Sequence, residues 1–247
     1  MLKSERKKLI MDRLREDDFV TLDSLVALLE TSESTVRRDL DELEAERKLH
    51  RIHGGAEKLH SLQEELSVQQ KSIKNVQEKK LIAQKAREFI CEGEVIFIEA
   101  GSTNELLVDE LSATDITVVT NSINHAIKLV DKQIRTIVIG GEVKMTTQAN
   151  IGPLALKQIN QLSFDKAFMG TNGIDNDNLT TPDIYEATIK QAIIANSKEI
   201  FVLTDSTKLD VVSFAKFAKV EEANLIINRS SKAIVEKLKK KTKVIQV

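Results

Sequence analysis

Arg37 and Arg38 stand side by side in the run S-T-V-R-R-D-L, and Arg51 and His53 come just before the pair Gly54-Gly55. Arginine makes a bidentate contact to O6 and N7 of guanine, so exposed arginines on a helix can read base edges in the major groove. A second polar set comes later. Gly101, Ser102, Thr103 and Asn104 follow the run EVIFIEA, which contains Glu99. Asn121 follows ITVVT, Gly140 and Gly141 follow TIVI, and Asp205, Ser206, Thr207 and Lys208 follow IFVLT. Hydroxyls and free N–H groups at a helix start make an anion site, and a lysine meets phosphate as a point charge. Residues 101–104 with Lys208 therefore suit a phosphate. Helix capping by Ser102 and Thr103 explains the same residues equally well. Glu186 and Lys190 are one helical turn apart and read as an i,i+4 ion pair worth about 0.2–0.5 kcal/mol. Lys79 opens the run KKLIAQKA and reads as a solvated charge.

These groups need elements to hold them. None of the nine glycines precedes Gly54, and seven lie between Gly93 and Gly173. Helices are expected first, then strands that end in tight turns. Leu9, Ile10 and Leu14 mark a helix over residues 5–16, and Phe19-Val20 reads as extended. Leu22, Leu25, Val26 and Leu29 form one face of a second helix. Ser32 is placed to cap a third helix, whose buried face is Val36, Leu40 and Leu43. Ser34 and Thr35 then sit at the helix start, and Arg37 and Arg38 project away from the core. Recognition helices aim their first turns at base edges. Residues 49–53 read as a strand, and the Gly-Gly turn after them makes a wing, where Arg51 and His53 reach sugar-phosphate backbone. Together these elements predict a winged helix-turn-helix over residues 1–57.

Residues 58–78 are polar, with Leu59, Leu62, Leu66, Ile73 and Val76 in a loose heptad. A helical connector at a dimer contact and a solvated amphipathic linker both fit so few heptads. From residue 79 to 247, β-branched runs at 95–98, 116–120, 136–140, 166–170, 200–204 and 225–228 alternate with helical spacing at 103–112, 122–132, 153–161 and 183–197. That alternation predicts an α/β domain around a largely parallel sheet, with ligands at the carboxyl ends of the strands.

Composition narrows the classes. The 247 residues carry 41% hydrophobic and 30% charged residues, with formal net charge −2, as in ordinary soluble proteins. Residues 1–60 hold twelve Lys+Arg against fourteen Asp+Glu, so no basic excess marks a DNA-binding segment. The charges are instead segregated, with Asp41, Glu42, Glu44 and Glu46 lying one to two turns beyond the arginine pair. A single cysteine, Cys91, excludes an internal disulfide. His50, His53 and His60 cluster near the wing while His125 stands alone, and no HExxH spacing occurs. No P-loop or GxGxxG fingerprint is present. No metal or other cofactor is indicated. With no membrane-length apolar run and no signal peptide, a cytoplasmic, full-length protein is expected.

The stretches ERKKLIMDRL and FVTLDSLVALLETSESTVRRDLDELEAERKLHRIHGGA closely resemble the N-terminal signature of the DeoR family of transcriptional regulators. The specific parts are S-E-S-T-V-R-R-D-L at 32–40 and R-I-H-G-G-A at 51–56. From about residue 75 the chain resembles the family's effector domain, which is related in fold to ribose-5-phosphate isomerase. The matching motifs are E-K-K-L-I-A (78–83), E-A-G-S-T (99–103), T-N (120–121), G-G (140–141), F-D-K-A-F-M-G-T-N-G (164–173), E-A-T-I-K (186–190) and D-S-T-K (205–208). Glu99 and Ser102 depart from the family, which often has Asp and Thr there.

The resemblance implies a repressor that reads operator DNA with residues 34–38, helped by Arg51 and His53. It implies a phosphorylated-sugar effector with its phosphate on residues 101–103 and Lys208 nearby. Lys79, Glu99, Asn104, Asn121, Gly140, Gly141, Glu186 and Asp205 complete the expected effector site. SLQEE at 61–65, GSTNELLVDEL and LTTPD at 179–183 resemble the fructose-operon repressors of low-GC Gram-positive bacteria, which suggests fructose 1-phosphate. A homodimer or higher homo-oligomer without catalytic activity is expected. The rival is a working sugar-phosphate isomerase whose base is Glu99, Asp183 or Glu186.

Overall fold

Leu25, Leu29, Val36, Leu40 and Leu43 recur at helical spacing, and all are buried in one cluster with Ile10, Leu14 and Leu49. This cluster is the core of the first of two units, Met1–Ser61 and Leu62–Val247. The computed structural model describes residues 1–17, 19–58, 61–112 and 115–247. The first unit runs α1 (Lys3–Asp17), β1 (Phe19–Thr21), α2 (Leu22–Leu29), α3 (Glu33–Ala45), β2 (Leu49–Ile52) and β3 (Gly55–Lys58). Thr21 caps α2 and Ser32 caps α3, each hydroxyl accepting a backbone N–H of the first turn. The strands form an antiparallel sheet in the order β1-β3-β2. Residues 53 and 54 make the tight turn between β2 and β3, and Gly54 takes φ +86°. This is a winged helix-turn-helix.

The second unit begins with α4 (Val68–Ser72) and α5 (Val76–Arg87). It continues β4 (Val95–Ile98), α6 (Ser102–Glu110), β5 (Thr117–Thr120), α7 (Ile123–Asp131), β6 (Arg135–Val138), β7 (Glu142–Val143), β8 (Asn150–Ile151) and α8 (Gly152–Ile159). Then come β9 (Phe164–Met169), β10 (Gly173–Ile174), β11 (Asn178–Thr181), α9 (Ile184–Ala195), β12 (Ser197–Thr204), β13 (Ala215–Lys219), β14 (Asn224–Ile227), α10 (Ala233–Leu238) and β15 (Val244–Gln246). Seven strands form one sheet in the order β15-β14-β12-β9-β4-β5-β6. Every pairing in it is parallel. Alternate residues of β4 serve opposite faces: Phe97 joins the cluster under α8 and α9, while Ile96 and Ile98 join the cluster under α5, α6 and α7. Both faces of β4 are covered, so this strand is apolar throughout, as buried parallel strands are.

From β4 the chain winds outward through β5 to β6, returns to β9 on the other side of β4, and winds the opposite way. The β4–β9 boundary is thus the switch point, outside whose carboxyl ends such sheets bind ligands.

The stretch expected as a connector over 58–78 is not one helix. Leu59 and His60 lie outside the described residues. Residues 62–67 are non-helical, α4 has five residues, and α5 starts only at Val76. Residues 62–72 belong to the second unit and are bonded to it: Phe214 N–H donates to the Leu62 carbonyl (2.8 Å) and Val68 N–H to the Thr146 carbonyl (2.9 Å). The β7–β8 pair, the antiparallel β10-β11-β13 sheet and the closing β15 were not anticipated. They are two- to five-residue strands, too short for a period to show.

Gly55 is the tightest point of the winged unit. A Cβ there would lie 2.0 Å from the Val20 carbonyl oxygen, where β3 pairs with β1. Backbone cannot yield as a side-chain tip does, so Gly55→Ala is expected to cost about 3 kcal/mol. Urea unfolding of the whole chain should show early loss of the first unit, while Gly54→Asn, at a position with open space, should cost much less.

Candidate functional site

The first turns of α3 present Ser34, Arg37 and Arg38 to solvent, with Thr35 half-buried. Arg37 is held by Glu33 one turn earlier (2.6 Å). Arg38 makes no ion pair or side-chain hydrogen bond among the described residues. The acidic residues later on α3 are neutralised inside the unit. Glu42 takes Lys3 and Lys7 of α1 (2.5 and 2.8 Å), and Glu46 takes Lys7 and Lys48 (2.7 Å each). Lys48 and Lys7 hold the Glu46 carboxyl down at about 2. Arg6 clasps the buried Asp39 through two bonds (2.6 and 3.1 Å). Local pairing therefore absorbs the acidic excess and leaves the helix start basic. Arg51 turns back onto α3, where it pairs with Asp41 and donates to the Arg37 carbonyl (3.3 Å). It thus stands beside the arginine pair, while His53 is exposed in the turn.

At the carboxyl end of β4, Gly101 leads into α6, whose N-terminus has no side-chain cap. The hydroxyls of Ser102 and Thr103 are not spent on capping. Ser102 Oγ instead accepts from the ammonium of Lys79 (3.0 Å), and Thr103 makes no side-chain hydrogen bond among the described residues. Gly101 is extended, and a Cβ on it would meet only the Asn104 amide, at 3.9 Å. Lys79 is 5% exposed rather than solvated, and it also donates to the Lys71 carbonyl. Burial pushes its pKa down, and Lys208 and Lys71 add to this against the pull of Asp205. Lys79, Asp205 and Lys208 thus share one electrostatic neighbourhood at the start of α6. Asp205 caps the turn that carries Lys208 by accepting Thr207 N–H (3.0 Å).

Other expected residues are engaged by the backbone. Asn104 donates to the carbonyls of Glu99 and Phe168 (2.8 and 3.2 Å), and its own Oδ1 is buried without a partner. Asn121 accepts from Ala100 N–H (2.9 Å) and donates to the Asn150 carbonyl (3.3 Å). Gly140 is closed off by the amide of Gln158. A Cβ on Gly141 would lie 2.5 Å from the Ile151 carbonyl, so this glycine serves packing between β7 and β8.

The expected Glu186–Lys190 pair does not form. Lys190 crosses to Glu99, 91 residues earlier, and binds both its oxygens (2.7 and 2.6 Å). Gly170 N–H donates to the same carboxylate (3.0 Å), and the Gly170 carbonyl accepts from Lys190 (2.9 Å). This buried cluster joins the ends of β4 and β9 at the switch point. Burial pushes Glu99 above the usual carboxylate range despite Lys190. Glu186 turns instead to Lys144 (3.2 Å) and Thr147 (2.7 Å). Lys144 also binds Asp183 (2.9 Å) and Glu65 of the 62–67 segment (2.5 Å). Burial alone lowers the Lys144 pKa, but Glu186, Glu65 and Asp183 outweigh it and hold it above the lysine range.

Two family descriptions match the chain: the DeoR-like helix-turn-helix domain over residues 6–62 and the DeoR C-terminal sensor domain over residues 74–230. A Bacillus subtilis protein described as an uncharacterized HTH-type transcriptional regulator, FruR, is 40% identical over 99% of this chain and 98% of its own. The lactose phosphotransferase system repressor of Streptococcus mutans is 33% identical over 99% of this chain and 100% of its own. Among solved structures, ribose 5-phosphate isomerase A from Methanocaldococcus jannaschii aligns over 55% of each chain, with TM-score 0.41 and 19% identity.

The Glu99–Lys190 pair yields a direct test. Removing one partner of a buried ion pair strands the other charge, which costs about 3–5 kcal/mol. Lys190→Met and Glu99→Gln should each fall in that range by urea unfolding. The double variant should cost less than either single change, whereas additive losses would show that the two charges are not coupled.

Proposed function

The chain belongs to the DeoR family of transcriptional regulators, and from that premise we propose that it represses a sugar-utilisation operon, with fructose 1-phosphate as effector. The observation that carries the effector site is the uncapped N-terminus of α6 beside the buried Lys79. A helix N-terminus concentrates free N–H groups and positive potential. Lys79 and Lys208 add cationic charge there, and the hydroxyls of Ser102 and Thr103 add donors. A phosphate placed there meets both charge and hydrogen bonds. The names of the relatives, a transcriptional regulator FruR and a lactose phosphotransferase system repressor, support a sugar operon, and the resemblance of the motifs at 61–65, 101–111 and 179–183 to fructose-operon repressors favours fructose.

Operator reading falls to residues 34–38, with Arg38 the base-reading arginine and Arg51 supporting the same surface. The proteins act as a homo-oligomer on operator DNA. Binding rather than turnover is supported by the state of the carboxylates: Glu99 is tied to Lys190, and Asp183 and Glu186 to Lys144. A general base must reach the substrate's proton, and all three candidates are held by lysines.

Release follows from linkage. Lys79 bonds both the phosphate loop and the carbonyl of Lys71, and Lys71 lies in the segment that continues into the DNA-binding unit. An arriving phosphate draws the ammonium to itself and away from that carbonyl. Effector and operator then oppose each other by a coupling of typically about 1–3 kcal/mol.

The two sites separate by mutation. Thr103→Val and Lys208→Met each remove a contact to a charged group and should weaken fructose 1-phosphate binding by about 1.5–3 kcal/mol, leaving operator affinity intact. Arg38→Ala should do the reverse, costing about 1–3 kcal/mol of operator affinity. Calorimetry with fructose 1-phosphate, fructose 6-phosphate and ribose 5-phosphate, beside operator titrations, reads both. Equal binding of all three sugars would refute the assigned effector, and unchanged binding in both pocket variants would refute the site.

A further inference from the structure

The outer strand β6 carries a charge only at its first residue, Arg135, and ends in the apolar pair Ile137-Val138. Among the described residues it is hydrogen-bonded on one side only, to β5. Ile137 and Val138 point to opposite faces, yet they are 39% and 42% exposed. Helix α7, packed against β6, turns Ala126 and Leu129 inward and leaves Ile123, Ile127 and Val130 at 43%, 58% and 63% exposure. Those three stand at i, i+4 and i+7 and so form one stripe. Single exposed apolar residues are ordinary. A stripe continuous with a bare edge is not, because edges are usually blunted by lysine, proline, a bulge or a cover.

We propose that this edge is where two copies of the chain meet, β6 against β6, antiparallel about a two-fold axis. A free ladder needs a second free edge, and a two-fold axis supplies it from the same strand. The axis also keeps α7 of both copies on one face of the joined sheet, so stripe covers stripe. The charges are self-complementary too. Arg135 opens β6 and Glu142 lies just beyond its end; both are exposed and form no ion pair among the described residues. Antiparallel pairing brings the Arg135 end of each copy toward the Glu142 end of the other. A dimer built this way carries two reading units, as an operator of two half-sites needs. The proposal stands independently of the effector assignment.

Sedimentation velocity on the full chain tests it. The wild type should be dimeric, and Ile127→Asp with Val130→Asp should raise the dimer dissociation constant at least about thirtyfold, as loss of a hot spot does. Arg135→Glu and Glu142→Arg should each weaken the dimer, and the double reversal should restore it. That rescue separates a lost contact from misfolding. In a Cys91→Ser background, Val138→Cys should form a disulfide-linked dimer and Gln246→Cys, on the opposite edge, should not. A monomeric wild type, as expected if a different protein covers the edge, would overturn the proposal. So would an unchanged dissociation constant in the stripe and charge variants.

Discussion

A lysine ammonium withdrawn from water keeps its proton only if its surroundings replace the lost hydration. Lys79 is held in that position at the start of α6, donating to the Ser102 hydroxyl and the Lys71 carbonyl. Burial pushes its pKa down, and the charges of Lys208 and Lys71 add to this against the pull of Asp205. The pocket is therefore short of negative charge, and the uncapped helix start asks for the same thing. In the proposed mechanism a phosphate answers both. The same ammonium fastens the segment 62–72, so occupancy of the pocket and attachment of that segment compete for one cation. Glu65 on Lys144 is a further fastening of the segment, beside the backbone bonds at Leu62 and Val68, and it reaches the carboxylates Asp183 and Glu186 through that lysine.

The winged unit meets a related problem in the opposite direction. Its summed charge is slightly acidic, yet a surface that approaches DNA must be basic where it touches. Lys3, Lys7 and Lys48 hold Glu42 and Glu46, and Arg6 holds Asp39. These pairs fix α1 across α3 and take the acids out of play. What remains at the helix start is Arg38, Arg37 with its exposed pairing to Glu33, and Arg51 folded in beside them. In such an arrangement a charge count over the segment says little about the surface that matters.

Much of this was legible in the sequence because the relevant signals are local. Helical spacing at Val36, Leu40 and Leu43, the Ser32 cap and the Gly54-Gly55 turn define the winged unit within a few residues of each other. The β-branched runs located six strands of the parallel sheet. The ends of those strands located Gly101, Ser102, Thr103 and Lys208. What stayed hidden depends on contacts far apart in the chain. Lys190 looked like an i,i+4 partner of Glu186, but tertiary packing gave it to Glu99 at the switch point. Lys144 had no local motif at all, since its carboxylates come from two distant segments, Glu65 from one and Asp183 with Glu186 from the start of α9. Lys79 looked solvated because nothing near it in sequence announces that residues 62–72 fold over it. Gly140 and Gly141 sit at a strand end, as phosphate-binding glycines do, but the neighbours of these two are Gln158 and Ile151.

The competition for Lys79 is the central claim, and backbone amide hydrogen exchange reads it most directly. Val68 N–H, bonded to the Thr146 carbonyl, reports whether the 62–72 segment is fastened. Exchange of this segment should be slow in the free protein and should accelerate when fructose 1-phosphate saturates the pocket, while amides at the start of α6 become more protected. If fructose 1-phosphate protects α6 but leaves exchange across 62–72 unchanged, or slows it, the pocket binds its ligand without releasing the segment and the coupling through Lys79 is contradicted.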